Sequence, residues 1–233
     1  KPMGINPFID FHTHGRRHGN DIVEVISLHG MQKKEVIFYT RGFHPWWTLT
    51  LLTKEELCKL GESYSDDPYC LGLGEFGLDA LKGANIELQE EIFIQQIQIA
   101  NQLKSPVIIH CVRAFDRMLR LRKSYGKTPW VVHGYVRNRT LAKQVLDSGM
   151  FISVAPQYRQ TISSFTDTLQ FLPLDRIFLE TDSDFTATIQ ERYLIFAALR
   201  KIEMQDLKHQ LYQNFVTFRS EERRVGKECR SRW

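Results

Sequence analysis

Short apolar, β-branched runs alternate with longer amphipathic stretches along almost the whole chain, a pattern that predicts strands alternating with helices. Residues 7–14 (PFIDFHTH) predict the first strand, 22–28 the second and 36–40 the third. Thr53 opens a capping box with Glu56 three positions on, which predicts a helix to about Ser65. Strands are expected at 69–75, 106–111, 129–133, 151–155 and 176–181, and helices at 85–103, 114–125, 138–148, 163–171, 187–201 and 205–218. The helix at 85–103 offers Ile86, Ile92, Phe93, Ile97, Ile99 and Ala100 as a buried stripe. The gap at 15–21 is too short for a crossover helix, so the first unit must be trimmed. Seven or eight strands alternating with helices, without GxGxxG or GxxxxGK[ST], fit a closed parallel α/β architecture better than an open nucleotide-binding sheet. The expected fold is one domain over residues 1–218, a distorted or trimmed TIM-like (β/α) barrel.

The strands share a second feature: several end in metal-ligand side chains. His12 and His14 are two apart, so an extended chain puts both on one face. Later runs end at Glu75, His110, His133 and Asp182. In a barrel of this type the C-terminal strand ends converge on one face. Four imidazoles and two carboxylates are too many for one tetrahedral ion and suit two divalent ions, Mg²⁺, Mn²⁺ or Zn²⁺, bridged by a carboxylate or water. Such a pair lowers the pKa of a bridging water and clamps the attacking and leaving oxygens, so metal-assisted hydrolysis is the expected reaction class.

Composition adds exclusions. At 233 residues, 42 % hydrophobic, the chain has enough apolar material for a sizeable core and no uncharged run long enough to span a membrane. No apolar segment precedes the first strand, so no secretory leader is expected. Cysteines at 58, 70, 111 and 229 form no CxxC pair, which leaves a reducing, cytoplasmic setting as the default expectation. The formal charge of +4 owes most to residues 219–233 (RSEERRVGKECRSRW), where hydrophobic periodicity stops and the text resembles translated sequencing-adapter read-through. Taking that tail's six basic and three acidic residues out of 31 and 27 leaves 25 against 24, a net of +1. Bulk charge therefore argues for no partner, and any phosphate binding must be local.

Beside the strand-end ligands, Arg113 offers a guanidinium fork suited to phosphate oxygens. His44 in GFHPWW is a candidate pocket residue contacting substrate, and Trp46 and Trp47 are candidates for base stacking or rim packing. Asp79 is a candidate for orienting a ligand histidine or capping the following loop. Arg117, Arg120, Arg122 and Lys123 read as a solvated helix face, and His18, His29 and His209 as ordinary surface residues.

The series DFHTH, GFHP, GEFGLD, PVIIHCVRA, HGYVRN and ETDSD resembles, in order and across residues 7–218, the TatD family of metal-dependent deoxyribonucleases. That resemblance implies a metallo-dependent hydrolase barrel with two divalent ions, acting as an exonuclease or endonuclease on DNA, with single strands or ends as the expected partner. It also implies that His12, His14 and Asp182 bind the first ion, Glu75 bridges, and His110 and His133 hold the second, while Asp182 orients or deprotonates the attacking water. The catalytic residues are thus expected to be Asp182 and Glu75, with Arg113 and His44 contacting substrate. Two other readings are an ester or amide hydrolase, for example of an aminoacyl ester, and a catalytically silent binding barrel.

Overall fold

The computed structural model describes residues 6–15, 19–32, 37–158 and 163–219. The tail at 220–233, together with His18 and Val36, lies outside them. In chain order the elements are β1 (Phe8–Thr13), β2 (Ile22–His29), β3 (Phe38–Gly42), α1 (Lys54–Ser65), β4 (Cys70–Asp79), α2 (Ile86–Leu103), β5 (Val107–Val112), α3 (Phe115–Tyr125), β6 (Trp130–Val132), α4 (Arg139–Asp147), β7 (Phe151–Val154), α5 (Ser163–Phe171), β8 (Ile177–Leu179), α6 (Ile189–Arg200) and α7 (Met204–Arg219). They group into two compact units, Lys1–Ile26 with Gly134–Phe218, and Ser27–His133 with Arg219–Trp233.

In the first unit β7 pairs with β8 and β1 with β2, all parallel, and Thr13 bridges to Asp182 just past β8. The trimmed start expected from the sequence is present: Phe8 pairs with Ile22 across a connection with no helix among its described residues. Between Asp10–Glu24 and Thr13–Ile26 β1 carries one residue more than β2, a bulge that re-aims the side chains at its end. Phe11 stacks on Phe178 at 3.8 Å between centroids and meets Phe218 edge-on, so α7 closes over an aromatic core. On the other side of β1, the buried Asp10 carboxylate accepts from the Thr181 amide and hydroxyl and so ties the ETD segment to the DFHTH strand. Glu180, also buried, accepts from the Gly134 amide and the Ser153 hydroxyl.

In the second unit β3, β4, β5 and β6 pair in that order, all parallel. Helix α1 carries the expected capping box: Thr53 Oγ1 accepts from the Glu56 amide and Glu56 reaches back to the Thr53 amide, which stabilises the helix by about 1 kcal/mol. Helix α2 starts on Asn85, whose side chain accepts from the Leu88 amide, and buries Ile92, Phe93, Ile97, Ile99 and Ala100 as expected, with Ile86 half-buried. Two polar residues share that face. Gln89 accepts from the Asp79 amide and donates to the carbonyls of Asp79, Lys82 and Ala84; Gln96 both accepts from and donates to the backbone of Phe43. Two turns apart, they clamp the loops after β3 and β4.

Two strand expectations need correction. Strand β4 runs to Asp79 rather than stopping at Glu75, because Gly77, Leu78 and Asp79 continue the ladder against His110, Cys111 and Val112. Glycine makes that approach possible, since a Cβ on Gly77 would collide with the His110 carbonyl. Strand β8 is only Ile177–Leu179, because Arg176 ends a 3₁₀ turn that begins at Leu174.

Candidate functional site

In the second unit, the candidate site is built around Glu75. The β4–β5 register slips between Gly74–Ile108 and Phe76–Ile109, leaving Glu75 as the extra residue of a bulge. Its Oε1 lies 2.8 Å from His110 Nδ1, 2.8 Å from His133 Nε2 and 3.0 Å from His44 Nε2. Glu75 is 4 % exposed, and all three histidines are buried. His110 sits inside β5 and His133 one residue past β6, so neighbouring parallel strands deliver both rings to the same carboxylate.

Each ring is oriented from its far side. His110 Nε2 lies 2.9 Å from Asp79 Oδ2, which also accepts from the Trp46 indole at 2.7 Å. Burial pushes the Asp79 carboxyl up, but hydrogen bonds from His110, Trp46 and the Leu81 amide outweigh it and hold the group below its ordinary value. His44 Nδ1 accepts from the Trp46 amide, a group that can only donate, so in neutral His44 the proton sits on Nε2 and points at Glu75. Burial lowers the His44 pKa; Glu75 opposes that shift and His110 and His133 reinforce it. Although His44, Glu75 and His110 lie close enough to share an ion, this tautomer makes His44 a hydrogen-bond donor to the carboxylate, not a lone-pair ligand. The remaining imidazoles, His110 and His133, with Glu75 form a donor set that suits a divalent ion, and Asp79 supplies the carboxylate that a ligating histidine ordinarily leans on.

The first unit holds a second set. His12 Nε2 and His14 Nε2 lie 3.6 Å and 3.3 Å from Asp182 Oδ1, with the two rings 5.0 Å apart. Ligands about 2.1 Å from a common tetrahedral ion stand about 3.4 Å from each other, and both histidine–carboxylate distances fit that spacing. Asp182 is fixed by its backbone: its amide donates to the His12 carbonyl, its carbonyl accepts from the His14 amide, and its φ of 51° is a left-handed conformation that aspartate tolerates better than most residues. Its side chain remains 36 % exposed, open to water.

Arg113, also left-handed with φ 50°, is exposed. With Lys82, Asn85 and Arg117 it lines a cleft of about 460 Å³ between the loops after β4 and β5. Three sequence expectations change. His29 is not an ordinary surface residue: its Nδ1 accepts from the His44 amide and its ring packs on Trp47, so β2 buttresses the site. Arg122 is not simply solvated, since it donates to the Thr128 carbonyl and lies over the Trp130 ring. Arg117 is bound to Glu90 and Glu87. The pairing of Trp46 with Asp79 had no local signal, because 33 residues separate them.

Comparison with known proteins agrees with this chemistry. An uncharacterized metal-dependent hydrolase of Buchnera aphidicola is 28 % identical over 207 residues, 80 % of this chain and 78 % of that protein. The 3′-5′ ssDNA/RNA exonuclease TatD of Klebsiella pneumoniae is 32 % identical over 125 residues, 51 % of this chain and 47 % of that one. The crystal structure of a hydrolase TatD family protein from Entamoeba histolytica superposes with a TM-score of 0.72 at 16 % identity, covering 93 % of this chain and 99 % of the other. That likeness shows the fold, a TIM-type (β/α) barrel with the distortion expected at its start. The family model described as TatD related DNase matches residues 13–219, most of the sequence, and the chain belongs to the TatD-related DNase family of metal-dependent hydrolases.

Proposed function

We propose that this protein is a metal-dependent phosphodiesterase that hydrolyses DNA, with single strands or free ends as substrate. The observation that carries the reading is the convergence of His110 and His133 on one oxygen of the bulged Glu75, oriented from behind by Asp79. Family membership and the exonuclease activity for which the Klebsiella relative is named support the nucleic-acid substrate.

In this reading His110, His133 and Glu75 hold one divalent ion, and His12, His14 and Asp182 hold another. Bound there, the ions supply Lewis acidity toward a phosphate oxygen and a water acidified toward neutral pH. The chain's own residues do the rest. Asp182, partly exposed and fixed at its backbone, orients the attacking water and accepts its proton at the carboxylate. His44, with its proton held on Nε2, donates to Glu75 and keeps that carboxylate in place. Arg113, at the rim of the cleft, binds a neighbouring phosphate through its guanidinium fork.

The test is hydrolysis of a single-stranded oligonucleotide by protein loaded with Mg²⁺ or Mn²⁺, beside Asp182→Asn. Activity that falls by about 10²-fold or more in the variant supports the assigned proton acceptor. A folded, metal-loaded protein that cleaves no DNA but hydrolyses an aminoacyl ester or amide would replace the nuclease assignment.

A further inference from the structure

The GFHPWW loop contains a second tryptophan that the site chemistry leaves unused. Trp46 is committed: its indole donates to Asp79, its amide donates to His44, and Lys82 Nζ lies 4.1 Å from its ring centroid. Trp47, one residue on, is 57 % exposed. Its ring lies 4.7 Å from the His44 imidazole, 5.1 Å from His29 and 5.7 Å from Trp46, centroid to centroid. The indole is thus backed by three rings while more than half of the residue's surface faces solvent, and it packs directly on His44, one of the three histidines that meet Glu75.

The loop is rigid. The amides of Trp47 and Thr48 and the Thr48 hydroxyl all donate to the His44 carbonyl, the His44 amide is held by His29, and Gln96 clamps Phe43 on both sides. A large aromatic face held without conformational freedom loses little entropy when a flat ligand settles on it. The surroundings are cationic: Lys82 is over the adjoining indole, and Lys82 and Arg113 line the neighbouring cleft.

We infer that Trp47 is a stacking platform for one unpaired nucleobase of the substrate strand, beside the phosphate to be cleaved. The inference rests on the nuclease reading and deepens it. A base inside a duplex has both faces covered by its neighbours, so a platform of this kind selects single strands or frayed ends.

The experiment measures KM and kcat for single-stranded 12-mers in which one abasic nucleotide is walked along the sequence, using wild type, Trp47→Ala, Trp47→Phe and Leu51→Ala. Leu51 is an exposed apolar residue of the same loop and serves as control. The expected result is a rise in KM of about 10-fold for Trp47→Ala, within the range of base–aromatic stacking, with kcat changed less than about twofold, substantial rescue by phenylalanine and no effect of Leu51→Ala. At one position the abasic substrate should raise the wild-type KM equally, and Trp47→Ala should add nothing further to it. Unchanged KM in Trp47→Ala, or abasic and Trp47→Ala effects that multiply at every position, would overturn the platform while leaving the nuclease reading intact. A wild-type protein that cleaves no DNA at all would remove both.

Discussion

Asp79 Oδ2 and His110 Nε2 are 2.9 Å apart, while the other nitrogen of the same ring lies 2.8 Å from Glu75 Oε1. An imidazole between two carboxylates is held in one plane, and when one nitrogen gives its lone pair to an ion the other must carry the proton. Asp79 is the partner for that proton, and it is itself fixed by Trp46 and by the Leu81 and Lys82 amides.

Replacing Asp79 by Asn should therefore weaken metal binding without unfolding the protein. The asparagine oxygen can keep the Leu81 and Lys82 amides, but its NH₂ then takes the place of Oδ2, meets the Trp46 indole donor and favours the opposite tautomer of His110. We expect a loss of affinity of about 10- to 100-fold, the usual cost of removing such a partner, read by isothermal titration with Mn²⁺ or Zn²⁺.

Glu75→Gln keeps shape and volume but removes the negative charge on which three imidazoles converge. Turnover should fall by at least about 10²-fold and the second unit's ion should be lost, because a neutral amide is a poor ligand for a divalent ion. Metal content by atomic emission after dialysis, together with oligonucleotide cleavage, checks both.

The metal-free protein should become less stable as pH falls from about 7.5 to 5.5. Burial, reinforced by His44, lowers the His29 pKa, and burial is also the main cause of the lowering at His44. Since both folded pKa values lie below the unfolded one near 6.5, the unfolded chain binds more protons across this window, so stability rises with pH there and is lost on acidification. Melting temperature in EDTA, measured at half-unit steps, is the check; an invariant value over this range would contradict the assignment.

Gln96→Leu should destabilise the fold by about 1–3 kcal/mol, because the buried Phe43 amide and carbonyl lose their partner while the volume is kept. The same variant should loosen the loop that carries His44, so its kcat should fall even where the protein remains folded. Chemical denaturation and steady-state cleavage separate the two effects.

Much of the architecture follows from local sequence. The capping box at Thr53, the Asn85 cap and the apolar stripe of α2 are short-range features, and each helix they announce is present. The ligand-type residues were equally legible, because a polar group at the close of an apolar run stands out against it, although β4 continues past Glu75 and β5 past His110. The period of two placed His12 and His14 together, and their rings do lie side by side at Asp182.

Other features had no local signature because they depend on residues far apart in the chain. Glycine and charge in GEFGLD read as a loop, yet β5 alongside carries β4 on to Asp79. Gln89 and Gln96 look like helix surface in sequence; only the backbone of two loops laid against them explains their burial. His29 acquires its role from the His44 amide, and Asp79 from Trp46 and His110. Periodicity along one element determines which residues face inward and which chemistry reaches a strand end. The partner of each His110 nitrogen, and which tryptophan is bound and which stays open, are set by hydrogen bonds between elements that only the tertiary structure brings within 3 Å.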